Sequence, residues 1–309
     1  MRIVFHDLTV EPEPWPAELR RVFPQATVQS WQPGAPAADY ALVWAPPQQL
    51  LDEQPQLKAL FNIAAGVDAL LKLKLPAAVP VFRLDDAGMA VQMAEYVCQA
   101  VIRFYRELDA VEAESRRGLW QQRAPRLRQD FAVGVMGLGV LGQRVLGALH
   151  AFGYPLRGWS RSARTLPGVQ TFWGAAQWPD FLRGSRILVN LLPLTPETDK
   201  ILDQRALMSL PVGGYLINVA RGRHLVDEDL LAVLDSGHLA GALLDVFQQE
   251  PLPADHPFWH HPRITVTPHT SARTLRRESL AQIIGKIVAL EAGALPQSLG
   301  GWVRTEVGY

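Results

Sequence analysis

Short apolar runs alternate with longer amphipathic stretches along the first third of the chain. The apolar runs predict β-strands at residues 3–5, 40–44, 60–64 and 79–82. Proline and glycine separate these runs, as in residues 32–36. Strands that alternate with helical stretches are typical of sheets covered by helices, so this part of the chain predicts a small α/β domain.

Proline and glycine are then absent from residue 90 to residue 113, and apolar residues recur at helical spacing, which predicts one long helix. A second alternating series follows. Its strands are predicted at residues 131–136, 155–159, 187–192, 215–219, 242–246 and 264–266, and its helices at 141–152, 203–210 and 227–235. A last helix is predicted at 274–291. The second series indicates a parallel, doubly wound sheet.

The length of 309 residues is about twice that of a typical single domain, so two domains are expected. We predict that residues 1–95 begin the first domain and that residues 96–275 form the second. The final helix and tail, residues 276–309, are expected to return to the first domain, because the tail has no partner strand nearby in the sequence.

Charge and cysteine content narrow the possible partners. Thirty basic residues balance 30 acidic ones, so no global field attracts the chain to nucleic acid or to an anionic membrane. Cys98 is the only cysteine, which suits a reducing compartment. No apolar run approaches the ~20 residues of a transmembrane helix, and the first residues predict a strand, not a signal peptide. We expect a cytoplasmic protein with a small-molecule partner and no metal site.

Gly137, Gly139 and Gly142 form a Gly-x-Gly-x-x-Gly turn between a predicted strand and a predicted helix. Glycines at these positions permit a tight turn and the close approach of a pyrophosphate, whose charge meets the free amides of the helix. The triplet alone is weak evidence, but its position favours a dinucleotide site over a glycine-rich packing turn.

The end of the next predicted strand lacks the acid that NAD-binding domains usually use to bind the ribose hydroxyls. No Asp or Glu occurs between Gln143 and Pro179. The strand end instead carries Trp159, Ser160, Arg161, Ser162 and Arg164. Because Arg and Ser can bind a phosphate, we predict NADP(H) as the preferred cofactor, with NAD(H) possible. The alternative is a basic surface loop.

Arg221, Glu250 and His269 each follow a short apolar run, so each is expected near the carboxyl edge of the sheet, where ligands bind. Arg221 can hold a carboxylate and polarise a neighbouring carbonyl. A carboxylate at Glu250 can orient the ring of His269 and stabilise its protonated form, which makes a general acid. The competing histidines, whose exposed context favours other roles, are His256, His260 and His261.

Asp245 and the basic stretch at residues 116–128 each allow two interpretations. Asp245 interrupts an apolar run, and a buried carboxylate is costly unless it is paired or hydrogen-bonded. It therefore contacts a nicotinamide carboxamide or is satisfied within the fold. The basic stretch contains the apolar pair Leu119 and Trp120, and it is either a solvated loop or an arm that packs on another subunit.

The chain resembles the D-2-hydroxyacid dehydrogenase family over essentially its whole length, and most closely the glyoxylate/hydroxypyruvate reductase A branch. Nine motifs that follow one another in the family's order carry this resemblance. They are residues 62–68 (NIAAGVD), 137–142 (GLGVLG), 159–161 (WSR), 190–193 (NLLP), 195–198 (TPET), 218–222 (NVARG), 244–247 (LDVF), 250–253 (EPLP) and 267–269 (TPH). The resemblance implies a Rossmann dinucleotide-binding domain inserted into a smaller flavodoxin-like substrate domain. It also implies a homodimer, which favours the arm interpretation.

The resemblance implies that Arg221 binds a 2-oxo acid, that His269 donates the proton and that Glu250 supports His269. It places Asp245 at the nicotinamide. Further substrate contacts are expected from the backbone of Ala65, Gly66 and Val67. Further cofactor contacts are expected from Val140, Leu141, Leu192, Pro193, Val219 and Ala220. Trp44 either walls the substrate pocket or packs in the core. Many family members have a histidine in the helix near the domain junction, where this chain has Ala94-Glu-Tyr-Val97.

The implied function is an oxidoreductase that uses NADPH to reduce glyoxylate to glycolate and hydroxypyruvate to D-glycerate. Two alternatives stay open. The first is a family member that acts on lactate or phosphoglycerate; a formate dehydrogenase is disfavoured, because those relatives have glutamine where Glu250 stands. The second is a nucleotide-sensing binding protein like the co-repressors of this architecture, against which the lack of long disordered extensions argues.

Overall fold

The computed structural model describes residues 1–7 and 14–304. Its strands are β1 (Arg2–His6), β2 (Thr27–Ser30), β3 (Tyr40–Val43), β4 (Ala59–Asn62), β5 (Val81–Phe82), β6 (Val133–Met136), β7 (Leu156–Ser160), β8 (Val169–Trp173), β9 (Ile187–Asn190), β10 (Gly214–Asn218), β11 (Leu239–Leu244) and β12 (Ile264–Val266). Its α-helices are α1 (Pro14–Val22), α2 (Gln48–Glu53), α3 (Met89–Tyr105), α4 (Leu108–Arg116), α5 (Val140–His150), α6 (Trp178–Arg183), α7 (Gln204–Met208), α8 (Asp227–Asp235) and α9 (Arg276–Glu291).

The chain divides into two compact units, of which the first contains both ends of the sequence. Unit 1 comprises Met1–Met89 and Thr274–Tyr309, and unit 2 comprises Ala90–Arg273. The domain boundaries expected from the sequence lie a few residues away, at 95/96 and 275/276, and their assignment to substrate and cofactor stays a prediction.

Unit 1 is built on a five-stranded parallel sheet in the order β2-β1-β3-β4-β5. This order is that of flavodoxin-like folds. The central strands β3 and β4 are buried along their whole length, as expected for a parallel sheet covered on both faces. The tail finds its partner here, far away in the sequence: the amide of Val303 donates to the carbonyl of Val81 in β5, at 2.9 Å.

Unit 2 is built on a seven-stranded parallel sheet in the order β12-β11-β10-β9-β6-β7-β8. Counted within the unit, this is the Rossmann order 3-2-1-4-5-6 with one further strand at the β11 edge. Two buried apolar clusters contribute to the core of this unit. The predicted fold class, two doubly wound α/β domains with a Rossmann domain inserted into a flavodoxin-like one, is confirmed.

The structure differs from the predicted elements at two edge strands and one helix. The strands β2 and β8 were not predicted, because each lies at a sheet edge and most of its residues are exposed or only partly buried. The predicted helix over residues 90–113 is two helices. It breaks at Glu107, whose backbone is left-handed with φ of 54° and whose carboxylate lies 2.7 Å from the guanidinium of Arg126.

That ion pair belongs to the basic stretch, which packs partly on its own unit. Arg126 also lies over the ring of Phe131, at 5.3 Å, and its carbonyl accepts a hydrogen bond from the hydroxyl of Tyr105, at 2.6 Å. Trp120, in contrast, is 94% exposed. The stretch is therefore anchored at its basic residues while its indole faces solvent.

Among the residues that the structure describes, no helix is long and apolar enough to span a bilayer.

Candidate active site

The structure brings Arg221, Glu250 and His269 together at one edge of the unit 2 sheet. They follow β10, β11 and β12, which are neighbouring parallel strands, so their loops emerge side by side. The Nδ1 atom of His269 lies 2.7 Å from Oε2 of Glu250. Arg221 is close enough for its charge to act on Glu250. The convergence expected from the sequence is present in the fold.

Glu250 is held by both of its carboxylate oxygens. Oε1 accepts a hydrogen bond from the backbone amide of Phe247, at 2.9 Å, while Oε2 contacts His269. Burial acts to raise the pKa of Glu250, but these two hydrogen bonds and the positive charges of His269 and Arg221 together lower that pKa below its ordinary value. Because Glu250 occupies Nδ1 of the imidazole, Nε2 is the nitrogen that can deliver a proton.

Asp245 lies directly after β11, not inside the strand as expected, and it is fully buried. Its carboxylate accepts three hydrogen bonds from the loop that carries His269. The donors are the hydroxyl of Thr267 at 2.6 Å and the amides of Thr270 and Ser271, each at 2.8 Å. These bonds satisfy the buried charge within the fold, which is one of the two interpretations left open by the sequence.

Arg221 lies on a turn that has room only for glycine at the next position, Gly222. A Cβ on Gly222 would lie 1.9 Å from the carbonyl carbon of Phe247, so the turn after β10 packs directly on the backbone after β11. The side-chain amide of Asn218 donates to the carbonyl of Arg221, at 3.2 Å. The guanidinium in turn donates to the carbonyl of Ala220, at 2.7 Å. The position of the cation is thus set by backbone packing.

A buried polar network that the sequence analysis missed connects the loops after β9 and β10. The side-chain amide of Asn190 contacts Oδ1 of Asn218, at 3.0 Å, and Nδ1 of His224, at 2.9 Å. Since that amide nitrogen can only donate, Nδ1 accepts and Nε2 of His224 carries the proton toward the carbonyl of Pro193, 3.2 Å away. The available signal was an asparagine at the end of each of two apolar strands.

The glycine turn has the geometry that a dinucleotide requires. Gly137 has φ of 98°, and a Cβ there would lie 2.7 Å from the carbonyl oxygen of Leu191. A Cβ on Gly142 would lie 1.9 Å from the carbonyl oxygen of Gly137, which fixes the close approach of α5 to β6. Gly139 precedes α5, and a Cβ there would meet none of the described atoms within 4 Å. This open space at a helix start fits a pyrophosphate.

The basic turn after β7 presents exposed side chains at Arg161, Ser162 and Arg164. Ser160 is buried, and its hydroxyl donates to the carbonyl of Ser162, at 2.8 Å, so it shapes the turn. The carboxylate of Glu197 lies within reach of the charge of Arg161. A hydrogen bond with Thr195 is the main cause that lowers the pKa of Glu197, and Arg161 adds to it.

The remaining expected cofactor residues differ in exposure. Trp159 packs in the core with its indole N–H on the carbonyl of Gly174, at 3.0 Å, which leaves little of its side chain for a ligand. Val140 is 51% exposed at the start of α5. The buried members are Leu192, Val219 and Ala220, and the more accessible ones are Leu141 and Pro193.

In unit 1, the turn at Ala65, Gly66 and Val67 follows β4. The side-chain amide of Asn62 donates to the carbonyls of Ala64 and Gly66, at 2.8 and 2.9 Å, and so fixes the shape of the turn. Trp44 comes directly after β3 and is partly buried.

Comparison with known proteins identifies the family. The sequence pattern of the NAD binding domain of D-isomer specific 2-hydroxyacid dehydrogenases matches residues 98–271. The chain is 47% identical to the glyoxylate/hydroxypyruvate reductase A of Serratia proteamaculans, over 100% of both chains.

Two solved structures have the same fold over the full length. One is a D-isomer specific 2-hydroxyacid dehydrogenase from Xanthobacter autotrophicus, in complex with NADPH and MES, with 38% identity, a TM-score of 0.93 and coverage of 100% and 99% of the two chains. The other is an NADPH-dependent glyoxylate/hydroxypyruvate reductase from Sinorhizobium meliloti, in complex with NADP and sulfate, with 35% identity, a TM-score of 0.92 and the same coverage. The chain therefore belongs to the D-isomer specific 2-hydroxyacid dehydrogenase family.

Proposed function

We propose that the protein is an NADPH-dependent reductase of small 2-oxo acids, which converts glyoxylate to glycolate and hydroxypyruvate to D-glycerate. The observation that carries the proposal is the 2.7 Å contact between His269 and Glu250, beside the cation of Arg221. The relatives named above, which include an NADPH-dependent reductase of these two acids, support the choice of substrate.

The roles of the three residues follow from their chemistry. Arg221 binds the substrate carboxylate and polarises the adjacent carbonyl, since a guanidinium pairs with both oxygens of a carboxylate. Glu250 keeps the imidazole oriented, and His269 delivers its proton from Nε2 to the carbonyl oxygen. The backbone of residues 65–67 is assigned to the substrate carboxylate, and Trp44 to the wall of the pocket.

NADP(H) supplies the hydride when it is bound. We assign its pyrophosphate to the turn of Gly137, Gly139 and Gly142 and its 2′-phosphate to Arg161, Ser162 and Arg164. Asp245 stays assigned to the nicotinamide end; its three hydrogen bonds to the His269 loop also give it a structural role there. The bound NADP(H) of the two solved relatives supports the choice of cofactor.

Steady-state kinetics on a panel of 2-oxo acids, each with NADPH and NADH, tests this proposal. The panel contains glyoxylate, hydroxypyruvate, pyruvate and phosphohydroxypyruvate. We expect the highest kcat/KM with the first two acids and NADPH. A preference for the phosphorylated acid would instead favour a phosphoglycerate-type enzyme. Negligible turnover of every acid, with tight NADPH binding and a stable protein partner, would favour a nucleotide-sensing protein.

The variant His269→Gln tests the general acid. We expect it to lower kcat for reduction about 10²- to 10⁴-fold, the usual contribution of such a group. His260→Gln is the matched control, because His260 is an exposed histidine that follows the short helix Pro257–Trp259. A rate and a pH profile that His269→Gln leaves unchanged would overturn the assignment.

We also propose that the protein forms a homodimer through the basic stretch. Leu119, Trp120 and Leu127 are 46%, 94% and 57% exposed, while Arg123 and Arg126 anchor the stretch to Glu107 of its own unit. Large apolar side chains held out in this way are typical of an interaction surface. The family resemblance supports a second copy of the chain as the partner.

A further inference from the structure

We propose that the hydroxyls of Tyr96 and Thr267 act through Asp245 to hold the His269 loop, residues 267–271, in its catalytic position. This inference rests on the proposed function of His269. Tyr96 lies on α3, far in the sequence from the loop, and its hydroxyl is hydrogen-bonded to Oγ1 of Thr267. Both are positioning residues, since neither belongs to the set of residues assigned to substrate or cofactor.

The direction of the hydrogen bonds follows from the number of protons. Thr267 has one hydroxyl proton, and it donates this proton to Oδ1 of Asp245 at 2.6 Å. Oγ1 of Thr267 can therefore only accept from Tyr96. Burial raises the pKa of Tyr96 to about 12, against the opposing hydrogen bond with Thr267, so the phenol keeps its proton at neutral pH. The hydroxyl of Tyr96 therefore donates to Thr267 and the hydroxyl of Thr267 donates to Asp245, which gives one chain of hydrogen bonds with a single direction.

Asp245 connects this chain to the backbone of His269 and of the two residues that follow it. Its side chain binds the amides of Thr270 and Ser271, each at 2.8 Å, and its carbonyl accepts the amide of His269, at 2.9 Å. The amide of Asp245 donates to the carbonyl of Asn218 in β10, at 3.0 Å. The loop is thus bound to one buried residue that is itself fixed to the sheet.

The backbone of His269 needs such support. Its φ is 51°, in the left-handed region that residues other than glycine rarely adopt, although histidine adopts it more often than most. A residue held in this region still costs free energy. Conformations of this kind persist only where surrounding contacts over-determine them. If the bonds from Tyr96 and Thr267 loosen, Asp245 loses one of its donors and the loop can relax away from this conformation.

Three variants measure separately what the hydroxyls of Tyr96 and Thr267 contribute to kcat. Tyr96→Phe removes the first donor, Thr267→Val removes the second, and Thr267→Ser keeps it. We expect kcat for reduction to fall about tenfold to a hundredfold in Thr267→Val and less in Tyr96→Phe, since misplacement by ~1 Å costs up to about a hundredfold. KM should change by less than about twofold, because Arg221 lies outside the chain of hydroxyls. Thr267→Ser should restore most of kcat.

The double variant Tyr96→Phe/Thr267→Val distinguishes a chain from two separate effects. In a chain, the double variant loses no more kcat than Thr267→Val alone, whereas independent effects multiply. Tyr40→Phe is the matched control: it removes a tyrosine hydroxyl that donates to a carboxylate in unit 1, that of Glu291, at 2.6 Å. Multiplying effects, or an equal loss of kcat in Tyr40→Phe, would overturn the proposal.

Hydrogen exchange at Thr270 and Ser271 gives a readout that does not need activity. We expect these amides to exchange about tenfold faster in Thr267→Val than in the wild type, and at the wild-type rate in Tyr40→Phe. Unchanged exchange in Thr267→Val overturns the positioning role. If exchange quickens as expected while His269→Gln retains full activity, the positioning of the loop stands as structure and the proposed function fails.

Discussion

At the scale of single residues, the candidate chemistry depends on charges that other residues fix in place. Glu250 contacts His269 with one oxygen and accepts a hydrogen bond from the amide of Phe247 with the other. These two contacts fix the orientation of the carboxylate beside the imidazole. The pKa of Glu250 is lowered from its ordinary value of 4.5, and the carboxylate therefore stays charged as the pH falls to that value. If the rate of reduction falls with decreasing pH while the pH is still above that value, a group other than Glu250 must cause the fall.

Glu250→Gln should weaken reduction because it holds the ring of His269 less firmly. The amide keeps the shape of the side chain but not the negative charge that strengthens its hydrogen bond with the imidazole. We expect kcat/KM for reduction to fall about tenfold at pH 7. Steady-state kinetics measures this effect. Glu228→Gln, which removes an exposed charge at the start of α8, is the control, and an equal loss of kcat/KM in the two variants would contradict the prediction.

Arg161 and Arg164 should determine the choice between NADPH and NADH. Replacing both by alanine would remove the proposed charge-assisted hydrogen bonds to the 2′-phosphate, so KM for NADPH should rise about tenfold to a hundredfold. KM for NADH should change by less than about twofold. Arg183→Ala is the control, because Arg183 is exposed and paired with Asp180 on α6. An equal loss with both cofactors would rule out this role.

At the scale of elements, the loops after β9 and β10 are held by a buried network around His224. The imidazole is fully buried between Asn190 and the carbonyl of Pro193. Burial lowers the pKa of His224 to about 4, and the positive charge of Arg221 adds to this shift against the hydrogen bond to Pro193. Protonation below pH 6.5 therefore favours the unfolded chain, in which the ring titrates normally.

The free energy of unfolding should accordingly fall as the pH is lowered. For a folded pKa of about 4, the contribution of His224 is complete above pH 6.5 and decreases by about 2 kcal/mol between pH 7.5 and pH 5. Urea unfolding at these two pH values, in the wild type and in His224→Gln, measures it. Between pH 7.5 and pH 5, the free energy of unfolding should fall by about 2 kcal/mol more in the wild type than in His224→Gln. This difference is independent of the stability that the substitution itself costs at pH 7.5. The same pH dependence in both would exclude His224 as the cause.

The helices and strands also show which elements can be predicted from the local sequence pattern. The helix α8 was predicted at its observed bounds, because its apolar spacing and acidic start are local features. The edge strands β2 and β8 were not, since an edge strand pairs on one side and has little apolar signal. No glycine or proline marks the break at Glu107, and the carboxylate of Glu107 pairs with Arg126, 19 positions further along the chain.

At the scale of the whole molecule, the basic stretch should set the oligomeric state. If the proposed dimer forms through this stretch, Trp120→Ala should shift the protein from dimer to monomer at micromolar concentration, since an indole at the centre of an interface contributes about 2 kcal/mol or more. Sedimentation velocity measures this shift. Val212→Ala, which alters another exposed apolar side chain of the same unit, should leave the dimer intact. A wild-type protein that is monomeric throughout would contradict the proposal.

The sequence by itself determined the alternation of strands and helices, the glycine turn and the three polar residues after apolar runs. These features are local, because burial and backbone conformation show directly in residue type and spacing. Only the tertiary structure decided that β10, β11 and β12 are neighbours, that Glu250 touches His269 and that Asp245 binds the His269 loop together with Thr267 and Tyr96. Such contacts join residues far apart in the chain, and they depend on strand order and on loop hydrogen bonds that no periodicity encodes.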